Sequence, residues 1–138
     1  MGKLHPIMLN RVEVRAVREA GDVQIHRMLA GSAGAASVAA HYGEPGDRLW
    51  VREDFSTRQE GDRLKIRYPA DGPQSQPRFL PVRTVESKSR TEGYVTRPAK
   101  YMPLWASRIT LEVTESQVSH SGYRDEVLVT ARVVEVAR

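Results

Sequence analysis

The chain has 138 residues, 40% of them hydrophobic, which is enough for one core and too few for two domains of ordinary size. It contains no cysteine, which excludes disulfides, thiolate metal sites and cysteine nucleophiles and fits a reducing cytoplasm. The net charge is +4 and the N-terminal region is rich in charges, so we expect a single cytoplasmic domain over residues 1 to 138, without a secretory signal or contact with a membrane.

The first elements are a short strand and a segment that can be read in two ways. Residues 6 to 9 form an apolar run that predicts a first strand. Residues 11 to 20 fit a strand, because valines alternate there. They fit a helix equally well, because Asn10, Glu13 and Gly21 stand where an N-cap, a capping box and a C-terminal stop belong.

The next segments predict a strand, a connector and a second strand. Residues 23 to 29 alternate between apolar and polar side chains, as a strand does. Residues 30 to 41 are small, uncharged and broken by glycines, which predicts a flexible loop. Pro45 and Gly46 occupy the central positions of a predicted type II turn that leads into a strand at residues 48 to 53.

A short repeat predicts a hairpin with a basic surface. The letters GDRL at residues 46 to 49 recur at residues 61 to 64, and each copy leads into an alternating segment. Two strands joined by about nine residues are expected to pair as a hairpin. Alternation places on one face of each strand the following side chains: Arg48, Trp50 and Arg52 on the first, and Arg63, Lys65 and Arg67 on the second.

The C-terminal half predicts loops followed by strands. Residues 69 to 78 contain three prolines and a glycine, and residues 86 to 100 are polar and poorly patterned, so both predict loops, the second of them flexible. Residues 107 to 113 alternate, with Ile109, Leu111 and Val113 inward and Arg108, Thr110 and Glu112 outward, and residues 127 to 136 predict a final strand. Five to seven short strands with little helix predict a mainly β, α+β fold, arranged as a small barrel or a curled open sheet.

Positive charge is concentrated in one part of the sequence. Residues 63 to 100 contain nine lysines and arginines against three acidic residues, whereas the remainder is slightly acidic. This asymmetry is typical of a protein with a phosphate-bearing partner. A solvated loop that keeps the protein soluble explains it equally well.

Three stretches carry a resemblance to a known family. Residues 42 to 53 (YGEPGDRLWVRE) resemble the signature YGxPGDRLWVRE of ASCH-domain proteins from tailed phages and prophages. Residues 101 to 113 (YMPLWASRITLEV) resemble that branch's MPRWASRITLEV, and residues 5 to 9 (HPIML) resemble its RPILF. The resemblance implies a phage-encoded protein with a PUA-like fold, which is a small β-barrel with one or two short helices.

One departure from the family bears on catalysis. The resemblance implies a cleft lined by a motif like AGRKTQTRR, whose lysine and threonines are proposed to act with a glutamate in relatives that hydrolyse acetylated cytidine. In this chain Val23 stands at the lysine position, and Gln24 and His26 stand at the threonine positions. Valine can neither accept nor donate a proton, so we lean against an enzyme, with His26 and Glu53 as weak catalytic candidates.

The other candidate residues give weaker signals. The four histidines lie far apart without the spacing of metal ligands, so we expect neither a metal nor a cofactor. Trp105 is expected in the core, whereas Trp50 fits the core and a stacking platform equally well. Glu53 is expected to orient Arg27 or Arg52 through a salt bridge.

The leading functional hypothesis is a phage-encoded domain that binds RNA, other single-stranded nucleic acid or a modified nucleotide in a cleft beside the first helix. Its expected contacts are phosphate ligands, a stacking ring and cleft residues: Arg27, Arg52, Lys65, Arg67 and Arg108, then Trp50 or Tyr101, then Val23, Gln24 and His26. An alternative is a repurposed scaffold that binds and inhibits a host bacterial protein. The third is a residual amidohydrolase or nuclease that uses His26 and Glu53.

Overall fold

The computed structural model describes residues 2–28, 42–72, 76–81, 95–121 and 124–137. Within these ranges lie the α-helix α1 (Arg11–Ala20) and short 3₁₀ helices at Pro69–Asp71, Ala99–Tyr101 and Leu104–Ala106. The strands in the same ranges are β1 (Leu4–Met8), β2 (Asp22–Met28), β3 (Arg48–Arg52), β4 (Phe55–Glu60), β5 (Arg63–Arg67), β6 (Arg78–Pro81), β7 (Val95–Arg97), β8 (Ile109–Ser121) and β9 (Arg124–Val136). The mainly β prediction is confirmed.

The strands form two sheets. The five-stranded sheet has the order β1-β3-β8-β9-β2, in which β1 and β3 are parallel and the remaining pairs are antiparallel. The four-stranded sheet has the order β6-β5-β4-β7 and is antiparallel throughout. In the described ranges the two sheets do not close into a barrel, so only the coarser mainly β part of the fold prediction is established.

Capping explains why residues 11 to 20 form a helix and not a strand. The Glu13 backbone N–H donates to Asn10 Oδ1 at 2.8 Å, and the Asn10 N–H donates to Glu13 Oε1 at 3.0 Å, which completes a capping box. Gly21 ends the helix at a φ of 78°, where its N–H bonds the Val17 carbonyl. Of the two alternatives for this segment the helix is therefore the one that forms, and Val14 and Val17 pack on the five-stranded sheet.

Each sheet buries one face. The core of the five-stranded sheet includes the predicted inward residues Ile109, Leu111 and Val113, all with 1% exposure or less. The core of the four-stranded sheet consists of side chains from β4, β5 and the segments beyond them: Phe55, Leu64, Ile66, Tyr68, Met102 and Ala106. The prediction that Arg108 points outward is wrong, because its side chain is only 5% exposed.

The predicted hairpin between residues 48–53 and 61–67 is also wrong. The residues taken as its connection form β4, which pairs with β5 through the turn at Gly61, while β3 belongs to the other sheet. Phe55 and Thr57 are buried, and this inward pair is the pattern that makes the segment a strand. The expected side-chain alternation in β3 and β5 is nevertheless present.

The loop predictions have mixed outcomes. Residues 30 to 41 and 86 to 94 lie outside the described ranges. Residues 95 to 100 are not an irregular loop, because they form β7 and begin a 3₁₀ helix. Among the described helices, none has both the length and the apolar character needed to cross a membrane.

Candidate functional site

A buried arginine joins three parts of the chain. Arg108 lies directly before β8, and its Nε and Nη2 donate to the two carboxylate oxygens of Glu53 at 3.0 and 2.9 Å. Both Nη groups also donate to Asp71, with Nη2 at 2.9 Å from Oδ1. The positive charge is therefore matched by two carboxylates, one beyond the end of β3 and one in the 3₁₀ helix Pro69–Asp71.

Tyr68 forms the other side of this cluster. The Arg108 guanidinium lies 4.1 Å from the centroid of the Tyr68 ring, which is a cation–π contact. The Tyr68 hydroxyl donates to the Ala106 carbonyl at 2.7 Å and accepts a hydrogen bond from Arg78 Nη1 at 2.7 Å. The ring and the two carboxylates together fix the plane of the guanidinium.

The ionisation of the cluster follows from burial and charge. Burial raises the pKa of Glu53, although the bonds from Arg108 oppose that shift. Burial also acts to raise the pKa of Asp71, but hydrogen bonds and positive charge from Arg108 and Arg18 outweigh it and hold that pKa below its ordinary value. Burial acts to lower the pKa of Arg108, but the two carboxylates raise it, so Arg108 stays charged.

An open groove lies beside this cluster. It has a volume of about 880 Å³ and is bordered by α1, the 3₁₀ helix, the start of β6 and the end of β9. Arg15 Nε donates to the Ala70 carbonyl at 2.8 Å, which fastens the 3₁₀ helix to α1. The lining combines polar and apolar side chains, among them Arg18, Gln76, Arg78, Val17 and Val133. Its size falls in the range of small-molecule sites.

Two arginines of the groove have capacity for an anion. Arg18 is bonded to Asp71, but its side chain is 41% exposed. Arg78 uses Nη1 to bond Tyr68, while its Nε is buried and lacks a hydrogen-bond partner in the described part of the chain. The exposed Arg18 is suited to a phosphate or carboxylate entering the groove, and the Arg78 Nε–H would gain the acceptor that a buried N–H requires if its side chain turned toward that anion.

Arg27 and Glu53 have partners different from those expected. Glu53 pairs with Arg108, in place of the expected salt bridge to Arg27 or Arg52. Arg27 donates to both Glu13 oxygens, at 2.8 and 2.9 Å, and to the Met8 carbonyl, so it fastens α1 to β1 and β2. Arg108, expected at a phosphate, is enclosed by its carboxylates.

The three residues expected to line one cleft do not share a surface. Val23 lies in the core of the five-stranded sheet, whereas Gln24 and His26 are exposed. Alternation along β2 sends Gln24 and His26 to the face opposite Val23. His26 Nε2 is 3.6 Å from Glu126 Oε2, so His26 and Glu53, the weak catalytic candidates, have different partners.

The remaining predicted residues are divided among separate surfaces. Trp50 and Arg52 lie together on the outer face of β3, with the guanidinium 4.8 Å from the ring centroid. Tyr101 is 65% exposed and lies 5.0 Å from Lys100 Nζ. Lys65 and Arg67 are on the outer face of β5. Trp105 packs, partly buried, against the core of the four-stranded sheet.

Four residues of the groove were missed as site residues. Arg78 was visible as one member of the basic block. Tyr68 and Asp71 flank a proline in a segment that reads as a loop, and Arg18 reads as the exposed end of a helix. The sequence signal that could have indicated the acidic residues of the cluster was Arg108, a charged residue directly before a buried strand. If such an arginine is buried, it requires carboxylate partners.

Comparison with known proteins finds no matching family model, no similar curated protein and no similar solved structure.

The Arg108 cluster predicts a large stability effect. Arg108→Met should lower the free energy of unfolding by about 3–5 kcal/mol, because it leaves the Glu53 carboxylate buried without its partner. Arg108→Lys, which keeps the charge but not the two parallel bonds to Glu53, should fall between this variant and the wild type. Urea unfolding followed by circular dichroism measures both. If Arg108→Met lowered the free energy of unfolding by less than about 1 kcal/mol, the buried ion pairs of Arg108 would not be a main source of stability.

Asp71 predicts a pH dependence of stability. Since its folded-state pKa lies below its ordinary value of 3.8, its contribution is complete above that pH and is lost as the pH falls through the folded value. The free energy of unfolding of Asp71→Asn, followed from about pH 5 to about pH 2, should therefore decline less than that of the wild type. Asp22→Asn removes an exposed carboxylate and serves as the control. Equal slopes for Asp71→Asn and the wild type contradict the assignment.

Proposed function

We propose that this chain is an ASCH-like, PUA-related domain that binds single-stranded nucleic acid, and RNA in particular, by holding one nucleotide in the groove beside α1. The observation that carries the proposal is that two arginines line the same groove. Arg78 has a buried Nε that lacks a hydrogen-bond partner among the described residues, and Arg18 has a side chain that is 41% exposed. Both line a groove large enough for a nucleotide.

The chemistry of the groove matches the two parts of a nucleotide. A guanidinium presents its N–H groups in a planar fork that fits the oxygens of a phosphate, which favours Arg18 and Arg78 as the phosphate contacts. The apolar side chains of Val133 and Val136, which lie on the same groove and are not fully buried, offer contact area for a base. The basic balance of residues 63 to 100 would attract a polyanion to the protein.

The departure from the ASCH pattern at the cleft lysine supports binding and not turnover. Val23, at the position of the family's cleft lysine, has its side chain in the core, so it offers no proton donor or acceptor. The carboxylate of Glu53 is already bonded by Arg108. We therefore place the protein among binding domains, acting in the cytoplasm of a bacterial host.

Direct binding measurements test the proposal. Fluorescence anisotropy of a fluorescein-labelled single-stranded RNA of about 12 nucleotides should show saturable binding whose log K falls with log salt by about 0.7 for each phosphate contact. Arg18→Gln and Arg78→Gln should each weaken binding by about tenfold or more and flatten the salt slope, because each removes a hydrogen bond to a charged phosphate.

Arg132→Gln is the matched control for these variants. Arg132 is an exposed arginine on β9 that pairs with Glu112, and its replacement should leave the affinity unchanged. An absence of RNA binding at low ionic strength, or equal losses for Arg132→Gln and the two groove variants, would contradict the proposal.

A further inference from the structure

The outer face of the four-stranded sheet is a second basic surface, and it contains an aromatic ring. Its inner face packs on the core, so the alternate side chains of β4, β5 and β6 face outward. These outward side chains include four cations, one carboxylate and one large aromatic ring: Arg58, Arg63, Lys65, Arg67, Glu60 and Phe79. The excess of positive charge distinguishes this face from a merely solvated one.

Strand pairing sets the spacing of these cations. Arg63, Lys65 and Arg67 recur along β5 at intervals of about 6.8 Å, because every second residue of a strand points the same way. Lys65 pairs in register with Arg58 on β4 and with Phe79 on β6. Positive charge therefore follows β5 and spreads to its neighbour β4, a pattern that a flexible polyanion can follow.

The Phe79 ring lies on the outer face of β6 and is open to solvent. It is 43% exposed, because side chains alternate along β6 and its chain neighbours Arg78 and Leu80 face the opposite side. The guanidinium of Arg63 lies 4.6 Å from the Phe79 ring centroid, and Lys65 Nζ lies 5.9 Å from it. These cation–π contacts hold the ring in place on one side and keep two cations within reach of the phosphates that would adjoin a base stacked on its other side.

We infer that this face binds an extended single strand of nucleic acid, with Phe79 as the platform for one unpaired base and Arg63 and its basic neighbours at the phosphates. A single strand fits better than a duplex, because in a duplex the face of each base is covered by stacking on the neighbouring base pairs. A purely electrostatic partner, such as an acidic protein, would have no use for the exposed ring.

The position of β6 links this face to the groove. Arg78 turns inward to Tyr68 and lines the groove, while the next residue, Phe79, turns to the outer face. A strand that leaves the groove across β6 therefore meets the Phe79 ring next. In this form the inference rests on the proposed function and extends the site from one nucleotide to several.

The test compares Phe79→Ala and Arg63→Gln with Arg132→Gln, using the labelled RNA of about 12 nucleotides. Phe79→Ala should weaken binding by about 5- to 150-fold, the range expected for one lost base–aromatic stack, with little change in salt dependence. Arg63→Gln should reduce the salt slope by about 0.7, whereas Arg132→Gln should change neither quantity. Since Phe79 and Arg63 are exposed, circular dichroism and thermal unfolding should show folded variants.

Two further probes separate this inference from the proposed function. Uridine monophosphate, which is too small to span both surfaces, should bind Phe79→Ala as tightly as the wild type and bind Arg78→Gln more weakly. If Phe79→Ala and Arg63→Gln keep full affinity for the long RNA while Arg78→Gln loses it, the inferred binding surface on the sheet is wrong and the proposed binding in the groove is supported. Equal affinity for duplex and single-stranded RNA would also overturn the inference, because stacking on Phe79 would then contribute nothing.

Discussion

The buried charge of Arg108 is the constraint on which the architecture depends. An uncompensated guanidinium in a protein interior costs several kcal/mol, so carboxylates must reach it from elsewhere in the fold. Glu53 comes from the end of β3 in the five-stranded sheet, and Asp71 comes from the segment that follows β5 in the four-stranded sheet. The same cluster therefore holds the two sheets together and forms one wall of the groove. Its geometry requires the chain to turn sharply after β5, which the 3₁₀ helix Pro69–Asp71 accomplishes.

This arrangement divides the arginines by role. Arg108 and Arg27 each satisfy carboxylates of the fold itself and hold elements in place. Arg18 and Arg78 line the groove beside the same cluster, Arg18 with a side chain that is 41% exposed and Arg78 with a buried Nε that lacks a hydrogen-bond partner in the described part of the chain. Because Asp71 bridges Arg108 and Arg18, the structural and the ligand-facing arginines share one carboxylate. An anion bound by Arg18, as proposed, would therefore be held next to a rigid cluster, and such preorganisation reduces the ordering that a ligand must impose.

Local signals in the sequence predicted more of the fold than of the site. The capping residues Asn10 and Glu13 and the alternation of residues 109 to 113 are physical signals within a few residues, and the structure confirms them. The pairing of β5 with β4 was missed because the GDRL repeat suggested a different partner, and strand pairing depends on long-range packing. The burial of Arg108 could not be read from alternation, because Asp71, one of its two partners, is 37 residues away. The candidate site therefore shares Arg108 and the adjacent helix with the predicted cleft, but its other arginines are Arg18 and Arg78.

The most direct measurement is an ¹H–¹⁵N NMR spectrum of the arginine Nε–H groups near neutral pH, recorded with and without the single-stranded RNA. The Arg108 Nε–H, bonded to Glu53 at 3.0 Å, should exchange slowly with water in both samples. The Arg78 Nε–H should change its chemical shift when RNA is added, because that atom gains a phosphate partner. An Arg108 signal that exchanges as fast as that of the exposed Arg48 would contradict the central role given to the buried cluster.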